Sequence, residues 1–219
     1  GPVLDKENIQ IGIVEGVQGI SWTELTLIGQ SNHAGTTPMS LRRDPMRAAA
    51  EVVVAARSIA SEIGGSQVAT VGSLHLHPNL VNVVPASATM TVDLRNTDEA
   101  SLQLAEEQLR LGVAAIAEDE DVTVESRSLA RFEPVEFDGR VVEQIEQLAE
   151  QTGLSTKRMP SGAGHDAQMM ARICPTGMIF VPSLDGISHN PAEHTDEKDL
   201  IAGAQLLSDT MLALTEVDW

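Results

Sequence analysis

Residues 86–95 alternate: Ala88, Met90, Val92 and Leu94 are apolar, while Thr89, Thr91, Asp93 and Arg95 between them are polar. Successive side chains of a strand point to opposite faces, so this period of two predicts a strand with one buried and one solvated face, Arg95 lying on the solvated one. Gln67–His77 reads as a second strand, joined to the first through Pro78–Pro85. Elsewhere the period lengthens. Asp44-Pro45 opens a helix, with Asp as N-cap and Pro at the first helical position; it runs through Met46, Ala49, Val53 and Ile59 and stops at Gly64-Gly65. Thr97-Asp98-Glu99 opens another, with an apolar stripe at Leu102, Ala105, Leu109 and Val113. A strand from Val17 to Gly29, carrying Trp22, Leu25, Leu27 and Ile28, comes before these elements, and one from Val122 to Ser128 follows them. Strand, helix, strand, strand, helix, strand is the order of a split βαβ, ferredoxin-like unit, placed at residues 16–131.

The flanking segments read differently. Ile9–Val14 alternates weakly and is expected to be a strand within a short segment, 1–15. After 131, Phe132–Gly139 reads as a crossing segment, Arg140–Gln151 as a helix ended by Gly153, and Leu154–Met159 as a short strand. A loop, Pro160–Ala167, leads into a helix at Gln168–Ile173 begun by Asp166. Gly177–Pro182 reads as a buried strand, and Asp196–Leu214 as a closing helix whose first turn is Thr195-Asp196-Glu197. About two strands in the tail, 132–219, are too few for an independent α/β layer. It reads as one part of a domain whose other part is absent.

Composition narrows the function. The chain has 219 residues, 42% of them hydrophobic and 21% charged, as in ordinary globular proteins. With 14 basic and 32 acidic residues the net charge is -18, which repels nucleic acid and anionic lipid. Aromatics at 2%, without Tyr, leave few platforms for stacking bases. No apolar run has the length of a membrane span, and no leader pattern opens the chain. The single Cys174 excludes an internal disulfide and fits a reducing cytoplasm; it reads as a small buried hydrophobe.

Several residues carry candidate chemistry. His189 stands in Asp185–Glu193, where a strand gives way to a loop, between Gly186 and Pro191. It reads as a metal ligand or catalytic imidazole at a sheet rim, or as a surface His bonded to its neighbours. His33 lies in a loop of small residues, Gln30–Pro38, that a ligand can approach closely, or it caps the following turn. Arg95 is suited to fork onto a carboxylate, or it pairs with Asp98 or Glu99. Asn82 contacts a ligand or fixes its own turn. His75 and His77 share a strand face but lack a third ligand nearby, so a solvent-facing pair is expected. Ser161–Gly164 lacks the Lys-Ser/Thr of a phosphate loop, and nothing supports a nucleophilic Ser or Cys.

Taken in order, Asn32-His-Ala-Gly-Thr-Thr-Pro-Met39, Asn82-Val-Val-Pro85, Val92-Asp-Leu-Arg95, Ser161-Gly-Ala-Gly-His-Asp-Ala167 and Gly186-Ile-Ser-His-Asn-Pro-Ala-Glu193 resemble the amidase, hydantoinase/carbamoylase family. That family comprises N-carbamoyl-L-amino-acid hydrolases, allantoate amidohydrolases and ureidopropionases, within the metal-dependent aminoacylase and dipeptidase superfamily. The resemblance covers essentially the whole chain, and Gly1-Pro2-Val3-Leu4 looks like the continuation of the family's His-Ile-Glu-Gln-Gly-Pro motif.

The resemblance implies an α/β metallopeptidase-like catalytic domain carrying two divalent metals, Zn or Mn, per subunit. It also implies an inserted ferredoxin-like lid that pairs with its twin in a homodimer. His189 would be a metal ligand, and Asn82 and Arg95 would hold the carboxylate of a small-molecule substrate. His33 would reach the neighbouring subunit's site and stabilise the developing oxyanion, while Gly164 and His165 would be further substrate contacts. The departure is large: the family's His-x-Asp motif, paired glutamates and second metal His are expected before Gly1. The chain is therefore expected to be the lid plus the C-terminal part of a cytoplasmic enzyme, inactive alone. The alternatives are a related aminoacylase or dipeptidase, and a non-catalytic dimerisation or ligand-binding fragment.

Overall fold

The alternation of residues 88–94 sets up the first of two hydrophobic cores. In the computed structural model, which describes residues 1–216, Ala88, Met90, Val92 and Leu94 are at most 1% exposed, and the polar residues between them face outward. The elements in chain order are α1 (Val3–Glu7), β1 (Ile11–Val17), β2 (Gly19–Ile28), β3 (Asn32–His33), α2 (Pro45–Ile63) and β4 (Val68–His77). They continue with β5 (Val83–Val84), β6 (Ser87–Asn96), α3 (Glu99–Asp119), β7 (Thr123–Phe132), β8 (Val135–Glu136) and α4 (Gly139–Gln151). Last come β9 (Thr156–Ser161), α5 (Asp166–Met170), β10 (Met178–Phe180) and α6 (Glu197–Leu214). The chain forms two compact units, one of residues 19–134 and one of residues 1–18 together with the chain from Val135 onward.

In the first unit the strands lie in the order β4-β6-β2-β7, each antiparallel to its neighbours, which is the ferredoxin-like order for a βαββαβ chain. Helices α2 and α3 cover the apolar face through Ala48, Ala49, Val52, Ala56, Leu102, Ala105, Leu109 and Val113. Asp44 caps α2 as the Asp-Pro pair predicts, its carboxylate accepting from the Met46 and Arg47 amides at 3.0 and 3.4 Å. Asp98 caps α3, accepting from the Ser101 amide at 2.7 Å. The uncovered face is polar, with Thr26 bonded to Thr89 and Ser73 to Thr91. His75 and His77 are exposed on β4, as the spacing suggests.

The second unit corrects the strand count. Its sheet has four strands: β1 pairs in parallel with β9 and antiparallel with β10 and β8. The expected weak alternation of β1 gives way to a central strand, with Ile11, Ile13 and Val14 fully buried. The crossing segment contributes β8, and Phe137 enters the core beside Val141, Val142 and Ile145 of α4. Strand β10 is half-buried rather than buried. Helix α1 lies where no helix was expected. Among the described residues no helix is long and apolar enough to cross a membrane. Cys174 is exposed, not buried, in the bend after α5, its thiol 3.5 Å from the Met170 carbonyl.

Two predictions follow from this packing. Met90→Ala removes a fully buried side chain from the first core and should lower stability by about 2–5 kcal/mol in urea unfolding. The second concerns acid. The Ser101 amide holds Asp98 below the ordinary 3.8, the Arg140 guanidinium holds Asp138 below 3.8, and the Arg158 guanidinium holds Glu146 below 4.5. On acidification the unfolded chain takes up these protons first, so stability present at neutral pH is lost below about pH 4. A melting temperature at pH 3 equal to that at pH 7 would contradict this.

Candidate functional site

His33 and Asn82 lie on separate loops that the fold joins. Strand β3 pairs with β5, placing Asn32 opposite Val84 and His33 opposite Val83, and the Ala34 amide donates to the Asn82 carbonyl at 2.9 Å. The His33 loop is closed at its neck, where the Gln30 amide donates to the Arg43 carbonyl at 3.0 Å. Gly29 is required there, since a Cβ would sit 2.2 Å from the Arg43 carbonyl oxygen.

Within the loop the imidazole is oriented by hydrogen bonds, because it is exposed and not gripped by packing. Its Nδ1 accepts from the Gly35 and Thr36 amides at 3.0 and 3.2 Å. An Nδ1 used as an acceptor carries no proton, so the neutral ring holds its proton on Nε2 and presents a donor outward. His33 therefore caps the turn, and this is what aims its other nitrogen. Asn82 is exposed, and it is its main chain that makes the link to the His33 loop.

Arg95 is on the uncovered sheet face, as the alternation predicts. Its ion-pair partner is not Asp98, which caps α3, nor Glu99, which pairs with Arg131. The Arg95 guanidinium instead donates to Asp93 at 2.7–3.1 Å and lies 5.9 Å from the centroid of Trp22. Asp93 stands two residues away on the same face, a relation that a period of two makes readable. Arg95 and the His33–Asn82 pair occupy opposite ends of the sheet. Arg95 pairs with Ile20 and Val68, whereas Ser87, next to β5, pairs with Ile28 and His77. Eight residues of strand, about 26 Å, separate Ser87 from Arg95. Within one copy of the chain, Asn82 and Arg95 do not hold the same small carboxylate.

The remaining candidates lie in the second unit. His165 is the N-cap of α5, its Nδ1 accepting from the Ala167 amide at 3.1 Å. Gly164 precedes it in an exposed loop hung from buried Ser161, whose hydroxyl donates to the Ala163 carbonyl at 2.8 Å. His189 is exposed in a left-handed conformation, φ 55°, with its amide donating to Glu193 at 2.9 Å. The start of the chain packs under this loop: a Cβ on Gly186 would fall 2.2 Å from Pro2 Cα, and the Asp185 amide donates to Asp5 at 3.1 Å. Among the described residues no three His, Cys, Asp or Glu side chains are grouped to hold a metal ion. The described residues therefore do not by themselves fit a two-metal centre.

A recess of about 310 Å³ between α3 and strands β2 and β7 lies on the helix side of the first unit's sheet, lined by Leu25, Leu109, Val113, Val124 and Ser126 among others. It contains none of the candidate residues.

The profile of Peptidase family M20/M25/M40 matches residues 1–213. Allantoate amidohydrolase of Escherichia coli K12 is 40% identical over 219 residues, an overlap of 100% of this chain and 53% of that protein. N-carbamoyl-L-amino acid amidohydrolase of Geobacillus stearothermophilus is 38% identical over 216 residues, 99% of this chain and 53% of that one. A solved amidase of the hydantoinase/carbamoylase family from Burkholderia multivorans superposes with a TM-score of 0.94 at 41% identity, over 97% of this chain and 52% of that one. The chain spans about half the length of the curated relatives it matches. The family resemblance carried by the five motifs agrees with these findings. The chain belongs to peptidase family M20/M25/M40.

Proposed function

We propose that this chain is the lid and part of the catalytic domain of an amidohydrolase. The enzyme would cleave a linear amide or ureido C–N bond in an N-carbamoyl amino acid or an allantoate-type substrate. The observation that carries the reading is the His33 imidazole, held by two backbone amides so that it offers a proton from Nε2. Similarity to an N-carbamoyl-L-amino acid amidohydrolase and an allantoate amidohydrolase supports the choice of bond and substrate.

Hydrolysis of such a bond builds negative charge on the carbonyl oxygen, and a fixed neutral donor stabilises that charge without giving up its proton. Arg95 would anchor the substrate carboxylate through its guanidinium, with Asp93 and Trp22 keeping that group in place. His165 and Gly164 would be further substrate contacts. A divalent metal, Zn or Mn, would supply the activated water in the complete enzyme. His189 would be one ligand to it. A cytoplasmic location suits such an enzyme.

The separation of Arg95 from His33 and Asn82 supports a homodimer assembled through the lid, because one substrate then meets Arg95 of one copy and His33 of the other. In the complete enzyme, Arg95→Ala should raise KM about 10- to 100-fold; an unchanged KM removes the anchor role. His33→Ala should lower kcat about 10²- to 10³-fold. With substrate well below the wild-type KM, mixing the two variants should restore activity to about a quarter of wild type, through dimers with one intact site. No recovery on mixing would refute the shared site. The 219-residue chain alone, supplied with manganese or zinc and an N-carbamoyl amino acid, should show no turnover; a normal enzymatic rate would place the machinery elsewhere.

A further inference from the structure

We infer that Arg42 is a positioning residue for His33, acting through the backbone of the loop that carries the imidazole; this rests on the role proposed for His33. Arg42 lies nine residues from His33 and touches no candidate residue's side chain. Its guanidinium reaches back across the loop, Nη2 donating to the Ala34 carbonyl at 2.6 Å and Nε to the Thr37 carbonyl at 3.1 Å. These two carbonyls bracket the amides that orient the ring. Gly35 and Thr36, which donate to His33 Nδ1, are the residues between them.

The turn is tied at its other corner by Thr37, whose amide and hydroxyl both donate to the His33 carbonyl, at 3.2 and 2.7 Å. The ring lies close over the turn, since a Cβ on Gly35 would come within 3.3 Å of His33 Cε1. Remove the guanidinium, and two carbonyl dipoles converge without a cation between them. The 34–37 peptides then turn, and the two amides leave Nδ1. The ring would lose both its fixed orientation and its preference for a proton on Nε2. Nε and Nη2 form one edge of a planar fork, which a lysine ammonium, as a point charge, does not reproduce.

The test reads the ring directly, in the 219-residue chain and without turnover. Nitrogen NMR of the neutral His33 ring should show a protonated Nε2 and an unprotonated Nδ1 in the wild type. In Arg42→Ala and Arg42→Lys the two nitrogen signals should move toward each other as the tautomers mix. The Gly35 and Thr36 amides should exchange about tenfold faster, with amide signals of β2, β6 and α3 unchanged. If Arg42→Ala does not fold, Arg42→Lys decides alone. A His33 still locked in one tautomer in a folded Arg42 variant overturns the proposal. In the complete enzyme the same variants should lower kcat about tenfold with KM unchanged. Mixed tautomers with unaltered kcat would instead refute the role of His33, leaving that of Arg42 in holding the ring intact.

Discussion

The register between β2 and β6 is the constraint on which the first unit depends. Ten consecutive pairs run from Gly19 opposite Asn96 to Ile28 opposite Ser87. Because side chains alternate between faces, a slip of one residue would bury Arg95 and Asp93 and expose Met90 and Leu94. Burial of Leu25, Leu27, Met90, Val92 and Leu94 against α2 and α3 makes that slip costly, so the core decides which way Arg95 faces. The same register brings the ends of β2 and β6 together, where the Gly29 amide donates to the Ala86 carbonyl at 2.8 Å. The loops that leave from those ends are the ones bearing His33 and Asn82.

Local chemistry made much of this readable from residues alone. The alternation over 87–96, the Asp44-Pro45 start and the stripe on α3 each depend on near neighbours in sequence, and each marks its element. What escaped depends on distant partners. Strands β3 and β5 are two residues each and have no period of their own; they exist because β2 and β6 bring their loops together. Strand β1 carries no clean alternation because residues on both its faces are buried, and the strands it pairs with, β9 and β10, lie more than 100 residues away in the chain. Cys174 reads as a core residue by its type, but it is exposed beyond the last turn of α5. The candidate residues themselves were legible as motifs, while their grouping was not. The alternation of 86–95 already puts a strand between Asn82 and Arg95; what spacing does not reveal is that β3 pairs with β5 and so brings His33 to the Asn82 end of it.

The two ends of the sheet hold their candidate groups by different means. Arg95 projects from near the end of a hydrogen-bonded ladder, and its position follows from packing beneath it. His33 stands on an exposed loop with little burial, so its orientation rests on a set of short-range hydrogen bonds to backbone atoms. Such bonds contribute only about 1 kcal/mol each, and the loop uses several in concert: the Arg42 fork, the Thr37 pair and the two amides on Nδ1. A loop braced this way can change its side-chain environment on meeting a ligand without disturbing the core, since none of these bonds involves a core residue.

This division has a consequence for how the sheet works as a part. A twisted four-stranded sheet packed by two helices is stiff along its strands, so the roughly 26 Å between Ser87 and Arg95 is a fixed length. A carboxylate anchor at one end and a proton donor at the other cannot both close on a molecule the size of an amino acid. If each has a use, each serves a different site, and a single copy of the sheet then lends one group to each of two sites. Closed two-fold symmetry meets that requirement with one kind of chain, because every site receives the anchor from one copy and the donor from the other. On the roles proposed for Arg95 and His33, it is the rigid strand that would call for a second copy.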